Sequence, residues 1–282
     1  MDSLVTTEWL AAQLGAPDLC IVDATYFTSL PGEPPRDAVA EFAAAHIPGA
    51  VFLDLAGLAD KTSSLPATFP RPEQFASRMQ RLGIGDGVRV VLYDNAPHHT
   101  AARAWWLFQA FGVKRVAILD GGLGKWRAEG RAVASGEQTP RERHFTLAPD
   151  PSRLRTRDQM LANLETNAEQ VLDARGAARF TGAEADPRPG TAAGHIPGSR
   201  NLPYGQLLNA DGTYKHPNEL RTAFTKSGLI PTKPVTMTCG SGITASVLAF
   251  AAHLIGVEAA VYDGSWSEWG GDPSTPKASG PA

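Results

Sequence analysis

The chain has 282 residues, 43% of them hydrophobic and 20% charged, an ordinary globular composition with room for one large domain or two of about 130 residues. Its 26 basic against 29 acidic side chains leave a net charge of −3, without the basic surplus expected of a nucleic-acid or anionic-membrane binder. Two cysteines exclude a disulfide framework, no Cys/His cluster has metal-ligand spacing, and no apolar run reaches the roughly 18 residues of a membrane span. The first residues lack the basic-then-apolar pattern of a secretory leader, so the cytoplasm is the expected compartment.

From the N-terminus, β-like runs alternate with helix-like ones. Residues 20–24 read as an apolar strand ending in Asp23-Ala24, and His46-Ile47-Pro48-Gly49 as a turn. Residues 72–82 read as a helix, 90–94 as a strand ending at Asp94, 101–111 as an alanine-rich helix, and 117–122 as a strand closed by Asp120-Gly121-Gly122. Residues 135–152, with Gly136, Pro140, Pro149 and Pro151, have the composition of a surface linker.

The same landmarks then recur in the same order, at an offset of about 150 falling to 143. Asp173-Ala174 answers Asp23-Ala24, His195-Ile196-Pro197-Gly198 repeats the earlier tetrapeptide unchanged, and Asp263-Gly264 answers Asp120-Gly121. Residues 218–226 and 245–254 are the second pair of helices, and 272–282 a Pro/Ser/Gly-rich irregular tail that frays or packs without regular structure. Strands alternating with helices predict an α/β fold with two tandem domains, 1–134 and 153–282. Each is expected to hold a mainly parallel sheet with helices on both faces and ligands at the strands' carboxyl ends.

One position breaks the repeat. Where the first half has Asp94, the second has Cys239, opening Cys239-Gly240-Ser241-Gly242-Ile243-Thr244-Ala245 between a predicted strand (234–238) and a helix that Thr238 or Thr244 is placed to cap. A thiol on a strand-to-helix loop faces orphan backbone N–H groups and the positive end of the helix, both favouring thiolate, the nucleophilic form. A buried, inert cysteine is the commoner case. The Gly-x-Gly that follows argues against it here, because it clears side chains from a backbone that must curl around an anion.

These residues together resemble the two-domain rhodanese-type sulfurtransferases, over nearly the whole chain. The resemblance implies a catalytically inactive first domain and a persulfide-forming Cys239 in the second. The thiosulfate enzymes of that family place basic residues directly after the cysteine. Here Gly240 and Ser241 stand there, and the loop is similar to the 3-mercaptopyruvate sulfurtransferase branch. That branch implies substrate binding by Gly240, Gly242, Ile243 and Thr244, and two arginines on the substrate carboxylate, which Arg179 and Arg188 match. Read without the resemblance, each is an ordinary surface arginine; with it, the guanidinium fork suits an α-keto carboxylate.

The resemblance further implies 3-mercaptopyruvate as sulfur donor, a small thiol, thioredoxin or cyanide as acceptor, and no metal or organic cofactor, the cysteine being itself the carrier. In some members an aspartate and a histidine polarise the loop serine; those positions fall at Ala56 and Ala67, which reduces Ser241 to a single hydroxyl. His99 falls where the family often has a tyrosine facing the site, with a surface histidine as the alternative. His46, His195, Asp23, Asp120, Asp173, Asp263 and Arg175 read as structural, the histidines because the repeat places one in each half. Trp105 and Trp106 read as core or interdomain packing. The competing readings are a thiosulfate sulfurtransferase and a persulfide relay or scaffold without a small-molecule donor. A cysteine phosphatase would need arginine where Ala245 stands.

Overall fold

The structure, a computed structural model, describes residues 1–28, 35–136 and 138–281. Two five-stranded parallel sheets carry the chain. The first comprises β1 (Leu4–Val5), β2 (Leu19–Asp23), β3 (Ala50–Phe52), β4 (Arg89–Tyr93) and β5 (Val116–Leu119), in the order β1-β5-β4-β2-β3. The second comprises β6 (Leu154–Arg155), β7 (Gln170–Asp173), β8 (Arg200–Asn201), β9 (Val235–Thr238) and β10 (Ala260–Tyr262), in the corresponding order β6-β10-β9-β7-β8. The internal repeat of the sequence is thus a repeat of topology.

Parallel strands covered on both faces bury every residue rather than alternate ones. In β4, Val90 and Leu92 enter one core while Val91 and Tyr93 enter another on the opposite face. In β10, Val261 and Tyr262 divide in the same way. One of these cores is continuous through both domains, from Val22 and Phe75 to Met237 and Phe250.

That shared core is built on two helices, Ala101–Ala110 and Ile243–Leu254, which are apolar nearly all round. A helix of that kind needs cover on every side, and each finds its own sheet behind and the other domain in front. Trp105 meets Phe250 edge-on at 4.9 Å and His253 at 5.0 Å, so it is an interdomain contact, as expected. Truncating a tryptophan buried this completely costs about 3–5 kcal/mol.

The predicted linker is laid along the first domain. Gly136 N–H bonds Ala43 O, Ala148 N–H bonds Phe111 O, and Phe145 is buried. The C-terminal tail packs rather than frays: Ala278 pairs with His195, and Gly280 N–H bonds Thr181 O. The two tetrapeptide histidines play one role twice. His46 Nδ1 lies 2.8 Å from Phe42 O and His195 Nδ1 2.8 Å from Phe180 O, each ring stacked on that phenylalanine. They are structural, as read from the sequence.

Candidate active site

Cys239 follows β9 directly and is a free thiol, 1% exposed. The helix after it starts at Ile243, and its N-cap is Gly242 at φ +78°, not a threonine hydroxyl. Thr244 lies within the first turn, and Thr238 Oγ1 is buried without a partner among the described residues. The predicted threonine cap is therefore corrected: a left-handed glycine turns the chain more sharply than a capping threonine would. The turn brings the first-turn amides of Ile243 and Thr244, which have no intrahelical acceptor, to the side where the loop curls.

The loop is held open from behind by a residue that sequence reading passed over. Ser265 Oγ accepts the amides of Cys239 (3.2 Å) and Gly242 (3.1 Å) while donating to Tyr262 O (2.8 Å). Ser265 has a positive φ of 49°, a strained conformation for a residue with a Cβ. Trp266 N–H and Ser267 N–H then take the carbonyls of Cys239 and Gly240.

A small cleft of about 40 Å³ opens over the cysteine. Gly240, Ser241, Ile243 and Thr244 form its floor with Cys239, and Arg179 and Arg188 stand on its wall. Gly242 lies underneath and shapes the loop without lining the cleft. Arg188 reaches over Gly240 so closely that a Cβ there would stand 3.0 Å from Arg188 Nη2. Asp186 fixes that pose, accepting from the Arg188 amide (3.0 Å) and from Nη1 (3.2 Å). Among the described residues no carboxylate pairs with Arg179, which extends from the helix Ala177–Thr181. Arg175 also touches the cleft but is spent on Asp173 (2.6 Å) and Gly194 O (2.8 Å), in keeping with a structural role.

Ser241 is 7% exposed, and among the described residues no histidine or carboxylate bonds its hydroxyl. Ala67 lies off the cleft, its carbonyl bonded by Arg103 Nη2 at 2.5 Å. His99 is not on the cleft either. It lines a separate cavity of about 370 Å³ with Asp94 and Tyr214, and it is its neighbour His98 that lines the cleft over Cys239. The loop turns at His99, φ +51°, and a one-residue displacement in such a turn sends successive side chains to different sides.

In the first domain the corresponding loop closes on its own carboxyl group. Asp94 Oδ1 accepts from the Ala96 amide (3.0 Å) and Oδ2 from the Ala101 amide (2.7 Å), and burial pushes its carboxyl upward. The other cysteine, Cys20, has its thiol pushed up to about 12 by burial, which leaves it protonated and inert.

The description "Rhodanese-like domain" matches twice, over residues 6–129 and 156–272. The 3-mercaptopyruvate sulfurtransferase of Homo sapiens is 39% identical over 274 residues, 95% of this chain and 91% of the human protein. The thiosulfate sulfurtransferase of Cricetulus griseus is 38% identical over 275 residues, 95% of this chain and 91% of its own. In three dimensions, SseA of Escherichia coli, described as a 3-mercaptopyruvate sulfotransferase with the rhodanese fold, matches at a TM-score of 0.85 and 37% identity, over 95% of this chain and 100% of its own. With both domains matched and the duplicated sheet order in view, this chain belongs to the rhodanese-like family, as a tandem of two such domains.

Proposed function

We propose that this chain is a 3-mercaptopyruvate sulfurtransferase that carries sulfur as a persulfide on Cys239. The observation that carries the reading is the pose of Arg188 over Gly240, with Arg179 on the same cleft as the thiol. Two guanidinium groups there suit a carboxylate one short carbon chain away from the reacting sulfur.

In the proposed reaction the Cys239 thiolate attacks the substrate sulfur while Arg179 and Arg188 hold the carboxylate. The carbon–sulfur bond breaks, pyruvate leaves by way of its enolate, and Cys239 keeps the sulfur. The amides of the Ile243 turn and the Ser241 hydroxyl stabilise charge on the attacked sulfur, a preorganised arrangement that needs no reorientation during reaction. A small thiol, thioredoxin or cyanide removes the outer sulfur. We assign this to a reducing compartment, the cytoplasm, on the strength of two free cysteines. Among the described residues no helix is long and apolar enough to cross a membrane.

Identity alone does not separate the donors, since a thiosulfate sulfurtransferase is 38% identical. The loop favours mercaptopyruvate: Gly240 and Ser241 offer no cation beside the sulfur for the second charge of thiosulfate. The deciding experiment follows pyruvate release and intact mass after mixing with mercaptopyruvate or thiosulfate, for the wild type and Cys239→Ser. Pyruvate plus a Cys239-dependent gain of one sulfur, faster than from thiosulfate, supports the reading. Loading by thiosulfate alone makes the chain a thiosulfate enzyme, and loading by neither makes it a relay.

A further inference from the structure

We propose that His98, contributed by the first domain, is the acid that protonates the pyruvate enolate. The inference rests on the mercaptopyruvate reading above and names the proton donor that its first half-reaction requires.

His98 lines the same cleft as Cys239, Arg179, Arg188 and Ser241, on the face supplied by the other domain. Its Nδ1 lies 3.3 Å from Thr28 Oγ1, and its ring is tilted against Tyr204 at 6.2 Å, two contacts that orient it. The remaining groups on the wall are unsuited to the step. Guanidinium groups keep their protons at any working pH, and serine and threonine hydroxyls are too weak as acids. Tyr204 directs its hydroxyl at Pro97 O, 3.3 Å away. Imidazole is the side chain that exchanges a proton between pH 5 and 8, and His98 is the imidazole on this cleft among the described residues. Among the described residues no histidine or carboxylate bonds the Ser241 hydroxyl, which leaves it without a relay of its own, and the proton is delivered from the opposite wall.

The step balances as follows. The Cys239 thiolate bonds to the substrate sulfur, and the sulfur–carbon bond breaks with its electron pair going to carbon 3. The substrate's own S–H hydrogen stays on the outer sulfur. His98 imidazolium gives its proton to carbon 3, completing the methyl group of pyruvate, and the neutral imidazole recovers a proton from the outer sulfhydryl. The persulfide anion is left. Carbon 3 is reduced by two electrons and the Cys239 and substrate sulfurs are oxidised by one each, with no external redox partner.

The test separates the two half-reactions, because only the first protonates carbon. Pyruvate release is measured in a single turnover with His98→Gln and His98→Ala. Discharge of the persulfide by cyanide is measured on the same variants preloaded with polysulfide. The expected result is a fall of about 100-fold or more in pyruvate release, cyanide discharge within twofold of wild type, and partial rescue of His98→Ala by added imidazole. Unchanged pyruvate release, an equal fall in both steps, or no rescue by imidazole overturns the assignment. Wild-type protein that releases no pyruvate at all would instead remove the mercaptopyruvate reading itself.

Discussion

Arg103 of the first domain and Asp263 of the second form an ion pair at 2.6 Å directly under the cysteine loop. The guanidinium is 2% exposed and also lies over the Trp106 ring at 4.7 Å, while Asp263 Oδ2 accepts the Phe69 amide at 2.6 Å. A Cβ added to Gly242 would stand 3.0 Å from both Arg103 Nη1 and Asp263 O. The domain interface and the floor of the cleft are therefore one piece of structure.

Removing one member of such a pair strands a buried charge. Arg103→Met is expected to cost about 3–5 kcal/mol in denaturant unfolding, and the double variant with Asp263→Asn to recover a substantial part. A double variant no more stable than Arg103→Met would show that the pair contributes through packing rather than charge.

Arg188→Ala is expected to raise KM for mercaptopyruvate by about 10- to 100-fold, the worth of a charge-assisted contact of about 1.5–3 kcal/mol. Use of thiosulfate should suffer much less. Asp186→Ala, which frees the Arg188 side chain without deleting it, should move the same parameter in the same direction by less. Equal losses with both donors would remove Arg188 from the carboxylate.

Ser265→Ala leaves the amides of Cys239 and Gly242 without their acceptor, at a cost of about 1–3 kcal/mol. Turnover should fall with it as the cradle loosens. Ser265→Gly relieves the positive φ yet still lacks the hydroxyl, so it should recover stability more than activity. Thermal melting and kcat measured on both variants distinguish the two contributions, and a fully active Ser265→Ala would refute the role given to the hydroxyl.

Asp120 accepts the Tyr214 amide across the interface at 2.8 Å, and burial pushes its carboxyl up to about 6. A raised carboxyl means the folded state holds the proton more tightly than the unfolded chain. Its contribution is thus fully present below pH of about 4 and lost as pH rises through about 6. Asp120→Asn keeps an acceptor for Tyr214 and carries no charge. Its melting temperature should exceed wild type at neutral pH, with the gap closing under acid; a gap that widens in acid would reverse the sign.

The elements were legible in the sequence where the signal is local. The unchanged tetrapeptides around His46 and His195, the Asp-Gly strand ends and the apolar runs each mark a structure formed by neighbours in the chain. The residues missed are those whose role is made by distant contacts. Ser265 acts on a loop that starts 26 residues earlier, and Arg103 on a carboxylate 160 residues away. His98 was overlooked for His99 because which of two adjacent histidines enters a cleft depends on a turn angle, here φ +51°, that composition does not encode. Asp186 stands only two residues before Arg188, but its hold on that side chain is visible only in space.

The two cradles differ in who supplies the acceptor. In the first domain Asp94 is a permanent occupant, so the amides of its loop are satisfied from the moment the chain folds. In the second, on the proposed reaction, the occupant is the sulfur that Cys239 would gain and lose with each turnover. The amides of the second cradle meet the persulfide charge only while the chain is folded, so the melting temperature of this half should rise when sulfur is loaded and fall when an acceptor removes it. One domain keeps a fixed rigidity against which the other can report whether it is charged.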